Sequence, residues 1–193
     1  MRELKLKMAM SVDGFVSGLE GRMGADPEVK AWTAEYIWNA SLHVMGSRSF
    51  EAMAAWWPTS TDPLAAPMNQ IPKAVFSRQG AAILKKEAQQ HSAERQPGAD
   101  SWAQSHVASG DLAEEIAKLK AQEGKPIVAH GGVSFARSLV AYGLVDEFAL
   151  VVVPVALGKG LSLFSDLPGP SPLKLVSSTA FPGGAVAQIY RPA

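Results

Sequence analysis

Cysteine is missing from the 193-residue chain, so disulfides, thiolate metal sites and thiol nucleophiles are all excluded. Net charge is missing too: 18 basic and 18 acidic residues cancel, and no overall field draws the protein to nucleic acid or an anionic membrane. No apolar run is long enough to cross a bilayer. The opening MRELKLKMAM alternates charged and apolar residues, unlike the continuous apolar core of a signal peptide. A cytoplasmic location is therefore expected, with neither a nucleic-acid nor a membrane partner. The four histidines, His43, His91, His106 and His130, show no metal-ligand spacing, and no metal is expected. No Gly-x-Gly-x-x-Gly follows the first alternating segment, which argues against a conventional Rossmann dehydrogenase.

The length suits one domain with a sizeable core, spanning 1–193. Residues 3–10 set Leu4, Leu6, Met8 and Met10 against Lys5 and Lys7, the pattern of a strand with one face in the core. Asp26-Pro27-Glu28 supplies a capping side chain, a proline at the first helical position and an acid in the first turn. The helix that follows carries Val29, Trp32, Tyr36, Ile37 and Ala40 as its apolar stripe. Residues 41–45 and 73–76 read as short strands, 56–72 as a proline-rich ordered loop and 79–101 as a helical insertion. Residues 102–107 read as a weak strand, and Asp111 and Glu114 have capping-box spacing at the head of a further helix. Residues 173–179 and 185–190 flank Pro182-Gly183-Gly184 as a C-terminal hairpin. The sum is an α/β fold: a central mixed, mostly parallel sheet of about eight strands, about four main helices, and an antiparallel hairpin at the end.

Chemistry concentrates in 127–160. Ile127, Val128 and Ala129 form a short apolar strand that breaks at Gly131-Gly132. A helix follows with Phe135, Leu139 and Tyr142 on one face and Gly143 as its cap, and a second apolar strand covers 148–155. Two glycines between a buried strand and a helix start make a tight turn, and they also leave amide N–H groups open to a diphosphate. Gly46 to Glu51 offers a similar choice: Ser49 caps a helix beside a solvated Arg48, or the turn's amides and Arg48 face an anion. Asp13-Gly14 is first of all a turn signal.

His130-Gly131-Gly132, Val145-Asp146-Glu147 opening a strand, and Pro-Val-Ala-Leu-Gly-Lys-Gly at 154–160 followed by Leu163-Phe164 resemble the NADPH-binding half of the dihydrofolate reductase fold. The closer resemblance is to the reductase domain of riboflavin biosynthesis, the RibD C-terminal domain family, as a free-standing member. It covers 4–190, with matching motifs at four separated places in the correct order. It implies an NADPH-dependent reductase that passes hydride to a C=N or C=O group of a pterin- or pyrimidine-like heterocycle, and a cis peptide at the glycine pair. Cofactor phosphates would lie against Gly46, Ser47, Arg48 and Ser49 and against Gly131, Gly132, Val133, Ser134 and Phe135. Ser77 and Arg78 would grip the 2′-phosphate, with no carboxylate there to take the ribose hydroxyls of NADH, and Ala9 and Val16 would border the cofactor. Asp13 would sit near the nicotinamide as the one carboxylate placed for proton delivery, a bound water being the other source. Trp32 and Tyr36 would line the substrate pocket. Lys30 stands where dihydrofolate reductases carry a substrate-binding acid, which weighs against folate. The deaminase often fused to such reductases is absent, there being no His-x-Glu and no cysteine. A homodimer is the family-level expectation. The alternative is a non-catalytic NADP(H)-binding protein of the same fold.

Overall fold

The computed structural model describes residues 1–17, 26–85 and 94–193. The strands are β1 (Leu4–Ser11), β2 (Leu42–Gly46), β3 (Lys73–Phe76), β4 (His106–Ala108), β5 (Ile127–Ala129), β6 (Glu147–Val153), β7 (Leu173–Ala180) and β8 (Val186–Pro192). They form one sheet in the order β4-β3-β2-β5-β1-β6-β8-β7. Pairing is parallel from β4 to β6, and β8 and β7 then add antiparallel. This is the mixed, mostly parallel sheet with a terminal hairpin that the sequence pattern predicts.

The helices are α1 (Pro27–Trp38), α2 (Ser47–Trp56), α3 (Ala65–Gln70), α4 (Ala82–Lys85), α5 (Leu112–Ala121) and α6 (Val133–Ala141). Among the described residues six stand where about four were expected, because two are short. α3 lies inside the segment read as a loop, and its Pro67 sits in the first turn, where a missing N–H costs no helical hydrogen bond. In the expected helical insertion, Ala82–Lys85 is helical, Ala99–Ser101 is a 3-10 turn, and 86–93 lies outside the described residues. The strand expected at 102–107 is confined to His106–Ala108. Trp102 is instead buried in the preceding turn, its indole N–H donating to Asn69 Oδ1 at 2.8 Å.

The sequence pattern was misleading on one face of β1. Leu4, Leu6, Met8 and Met10 pack with Ile116, Leu119, Ala136 and Leu139 from α5 and α6, as the alternation predicts. The other face is not solvated. β1 lies between β5 and β6, α1 covers it, and Ala9 packs with Val29 of α1 and Val151 of β6. Lys5 and Lys7, which alternate with the apolar residues, therefore point into the protein.

Lys5 is compensated there. Its ammonium lies 2.9 Å from Oε1 of Glu147, the first residue of β6 and itself buried. The Arg191 guanidinium donates to Oε2 at 2.9 and 3.1 Å, and the Tyr36 hydroxyl donates to Oε1 at 3.0 Å. Burial works to raise the Glu147 pKa, and these donors, Lys5 foremost, bring it below the usual glutamate range. The cluster ties the amino ends of β1 and β6 to the carboxyl end of β8 and to α1. Glu147→Gln should cost about 3 kcal/mol of stability at neutral pH, measured by urea unfolding, because it removes the buried carboxylate that pairs the partly buried Lys5 ammonium and the Arg191 guanidinium. In the wild type that contribution should be intact above the ordinary glutamate pKa and should fade as pH falls through the depressed folded value.

Candidate active site

At the carboxyl ends of β2 and β5 the chain turns into α2 and α6. The helix caps are Gly46 and Gly132, and neither helix has a side-chain cap, so the first-turn amides of both remain available. Gly46 N–H donates to the Gly131 carbonyl at 3.2 Å, which binds the two turns together. Gly131 has φ +93° and its bond to Gly132 is cis. A Cβ on Gly132 would come 2.9 Å from Ser49 Oγ, and one on Gly46 would come 3.0 Å from Phe135 Cβ, so the close approach depends on both glycines. Between the two helix starts lies a cleft of about 340 Å³, lined by residues 46–49, Phe76, residues 132–135, Ser138 and Leu161. Helix dipoles and open amides converging there form an anion site suited to a diphosphate. Ser49 is the third residue of α2, not its cap as the sequence reading had it, and its hydroxyl faces Gly132.

Phe76, packed on Phe135 at 4.9 Å, carries the cleft toward the end of β3. Ser77 is buried there and accepts from Gln79 N–H at 3.2 Å, while Arg78 is exposed. Arg48 is exposed as well. The expected phosphate-binding residues thus share one side of the sheet's carboxyl edge.

Opposite them, the loop after β1 is clasped to the loop after β6. Val12 N–H donates to the Val155 carbonyl at 2.9 Å, and Val16 N–H to the Leu161 carbonyl at 2.8 Å. The Asp13 carboxylate accepts from Leu157 N–H at 3.1 Å and Gly158 N–H at 2.7 Å, and also from the Ser11 hydroxyl. The Ser11 hydroxyl and these amides hold its pKa down at about 2. Asp13 is therefore ionised at neutral pH and fully engaged as an acceptor. It shapes the loop beside Leu161 and has no proton to deliver.

A second cleft of about 480 Å³ opens between the head of α1, the end of β6 and the β7–β8 turn, lined among others by Asp26, Val29, Val151 and Val153. Asp26 Oδ1 caps α1 through Glu28 N–H and Val29 N–H, while Oδ2 is buried without a partner among the described residues. On the same face of β1 as Ala9 stands Lys7. It is partly buried, has no hydrogen-bond or ion-pair partner among the described residues, and burial pushes its pKa down to about 8. His130, just before the glycine pair, lies near enough to feel its charge.

Trp32 packs against Phe181 at 6.4 Å and belongs to the cluster around Ala9 and Val151, beside this cleft. Tyr36 is placed differently from expectation: it stacks under Trp32 at 5.3 Å, but its hydroxyl is committed to Glu147 at the far end of β6, and burial raises its pKa. Lys30 pairs with Asp62 at 2.7 Å in a separate depression. The residues missed by sequence reading are Lys7, His130 and Asp26. Lys7 was readable only with β1 in a central position, where both faces must be covered. Asp26 was read as a cap alone, and His130 only as part of a turn. Among the described residues no three His, Asp or Glu side chains gather as a metal site.

A family profile described as the RibD C-terminal domain matches residues 2–187. The uncharacterized protein YyaP of Bacillus subtilis (strain 168) is 29% identical over 197 residues, covering 98% of this chain and 94% of that one. Among solved structures, a putative riboflavin biosynthesis protein from Shewanella sp. PV-4 superposes with a TM-score of 0.70 at 18% identity, covering 99% of both chains. A pyrimidine reductase-like protein from Corynebacterium diphtheriae gives 0.67 at 18% identity, covering all of this chain and 92% of that one. The Thermotoga maritima diaminohydroxyphosphoribosylaminopyrimidine deaminase/5-amino-6-(5-phosphoribosylamino)uracil reductase gives 0.68 at 18% identity, and this chain covers 57% of its length.

An uncompensated lysine at this depth should cost the fold stability. Lys7→Met is expected to raise unfolding free energy at pH 7 by about 2 kcal/mol. The unfolded chain binds the Lys7 proton up to about pH 10.4 and the folded chain only up to about 8, so wild-type stability should climb between those values. That climb should be weaker in the methionine variant when urea midpoints are followed against pH.

Proposed function

The chain belongs to the RibD C-terminal domain family, and on that footing we propose that it is an NADPH-dependent reductase acting on a C=N or C=O group of a small pterin- or pyrimidine-like heterocycle. The observation that carries this reading is the convergence of two uncapped helix starts and the Gly131-Gly132 turn on one cleft. The residues fit the cofactor: open amides at 47–49 and 133–135 suit its diphosphate, and the exposed Arg78 guanidinium suits a 2′-phosphate. When bound, the reduced nicotinamide supplies the hydride. Ala9, Val29 and Val151 provide apolar walls that exclude water from the reacting face. Lys7 is protonated at neutral pH with a pKa close to it, and its ammonium donates to the substrate heteroatom that gains electron density, then passes it a proton. Asp13 holds the clasp of the two loops.

Lys7 also favours a reductase over a non-catalytic nucleotide-binding protein, because an amine held inside the sheet with no partner among the described residues serves no purpose in nucleotide binding alone. Riboflavin biosynthesis, named for the Shewanella protein, is the first setting to test. Among the described residues no helix is long and apolar enough to cross a membrane, and we place the reaction in the cytoplasm. We further propose a homodimer through β7, the edge strand, which is exposed beyond Leu173 and presents Leu175 and Val176.

Calorimetric titration tests the cofactor. NADPH should bind more tightly than NADH, and Arg78→Ala should weaken NADPH roughly 10- to 100-fold while leaving NADH unchanged. Failure of folded protein to bind either nucleotide would remove the reductase reading. Light scattering should give the mass of two chains, and Val176→Lys the mass of one.

A further inference from the structure

The second cleft holds an acceptor that the fold does not use. Asp26 Oδ1 caps α1 by accepting from the Glu28 and Val29 amides at 2.8 and 3.3 Å, whereas Oδ2 is buried with no donor among the described residues. A carboxylate oxygen enclosed without a hydrogen bond is costly, and capping the helix needs only the first oxygen. The β7–β8 turn lies over it: a Cβ on Gly183 would collide with Oδ2, so the turn's bare backbone takes that place. Gly183 and Asp26 line the same cleft of about 480 Å³, together with apolar walls that include Val29, Val151, Val153 and Ala185. The charged side chains that line it, Asp26 and Glu28, are both acidic. Lys30, further along α1, is committed to Asp62 in a separate depression.

The turn that covers Oδ2 is held lightly. Phe181 N–H donates to the Ala185 carbonyl and Gly184 N–H to the Phe181 carbonyl, both at 2.9 Å, and residues 181–184 make no hydrogen bond outside the hairpin among the described residues. Pairing of β8 with β6 stops at Val186. Beyond it the tip rests on apolar contacts, Phe181 edge-on to Trp32 at 6.4 Å and Gly184 beside Pro154. Lifting the tip breaks no hydrogen bond to the body of the protein, and it uncovers an acceptor that has nothing to bind.

We propose that residues 182–184 form a flap over an amine site, in which Asp26 Oδ2 receives the ammonium group of a ligand whose compact apolar body fills the cleft. One free oxygen takes one N–H donor, and a two-pronged amidine would need Oδ1 as well and would uncap α1. The acidic lining favours a cation over a neutral donor. The site stands on this geometry, and only its serving the substrate rests on the reductase reading. On that reading the substrate carries a basic amine.

The test is NMR on ¹⁵N-labelled protein, titrated at neutral pH with benzylamine and with benzyl alcohol, which has the same ring and no charge. Benzylamine should bind at least about tenfold more tightly and should shift the Gly183 and Gly184 amides. Asp26→Asn leaves α1 with a good capping side chain and should lose that preference. Gly183→Ala, whose Cβ keeps the flap off Oδ2, should retain it. Equal binding of the two probes or none, a preference undiminished in Asp26→Asn or lost in Gly183→Ala, or benzylamine binding that leaves both glycine amides unmoved would overturn the inference. The comparison of the two probes on the wild type depends on no variant folding. Calorimetry with NADPH on the same samples separates the two ideas. Nucleotide binding with any of those contrary results leaves the reductase reading standing, and the expected amine preference without nucleotide binding leaves only the amine site.

Discussion

Burying both faces of the first strand is the constraint from which the rest of the architecture follows. β1 lies between β5 and β6 in parallel register, so α5 and α6 must cover one face and α1 the other. β5 ends opposite Leu6, partway along β1, whereas β6 runs beside β1 as far as Ser11, and at both ends the chain must turn back over the sheet. One turn becomes the glycine pair and the start of α6, and the other becomes the loop that Asp13 clasps. The two clefts are the spaces these turns leave, at the carboxyl edge where open α/β sheets bind ligands.

Much of this was legible because local signals and global position agreed. Asp26 and Asp111 cap their helices through the amides two and three residues on, as capping side chains do. Gly143 takes φ +63° just beyond α6. The glycine pair falls between a buried strand and a helix start, so its turn and its proximity to a ligand site have the same cause. Legibility failed where a tertiary contact overrode a local pattern. Tyr142 was read as part of a buried stripe, but α6 ends one residue earlier and leaves it exposed. α1 buries Thr33 along its seam with Val29 and Ile37, a position that hydrophobicity alone passes over. Trp102 looks like a strand residue by propensity, yet its indole hydrogen bond to Asn69 and the Lys73 ammonium 4.7 Å from its ring hold it in a turn.

The candidate site and its surroundings carry two kinds of electrostatics. The cleft between α2 and α6 presents backbone amides and helix ends, fixed partial charges that need no titratable group. On the face of the sheet away from α5 and α6, protonation is set by burial: His43 and His130 are held as neutral imidazoles and the Lys7 amine is pushed down.

Lys5 and Lys7 show most directly what folding alone does not explain. They are the same residue type, two positions apart on one strand, and their side chains enter the same face beneath α1. Lys5 meets a buried carboxylate that is itself held by Arg191 and Tyr36. Lys7 faces Ala149 across the ladder and has no acid as a partner among the described residues. A methionine would fill its place without desolvation cost, and alternation along the strand asks for nothing polar there. The lysine remains the least favourable choice for the apo fold and the most favourable for a pocket whose ligand supplies the missing acceptor. A charge left unpaired at a cost to stability is what a functional position looks like, and Lys7 has that character.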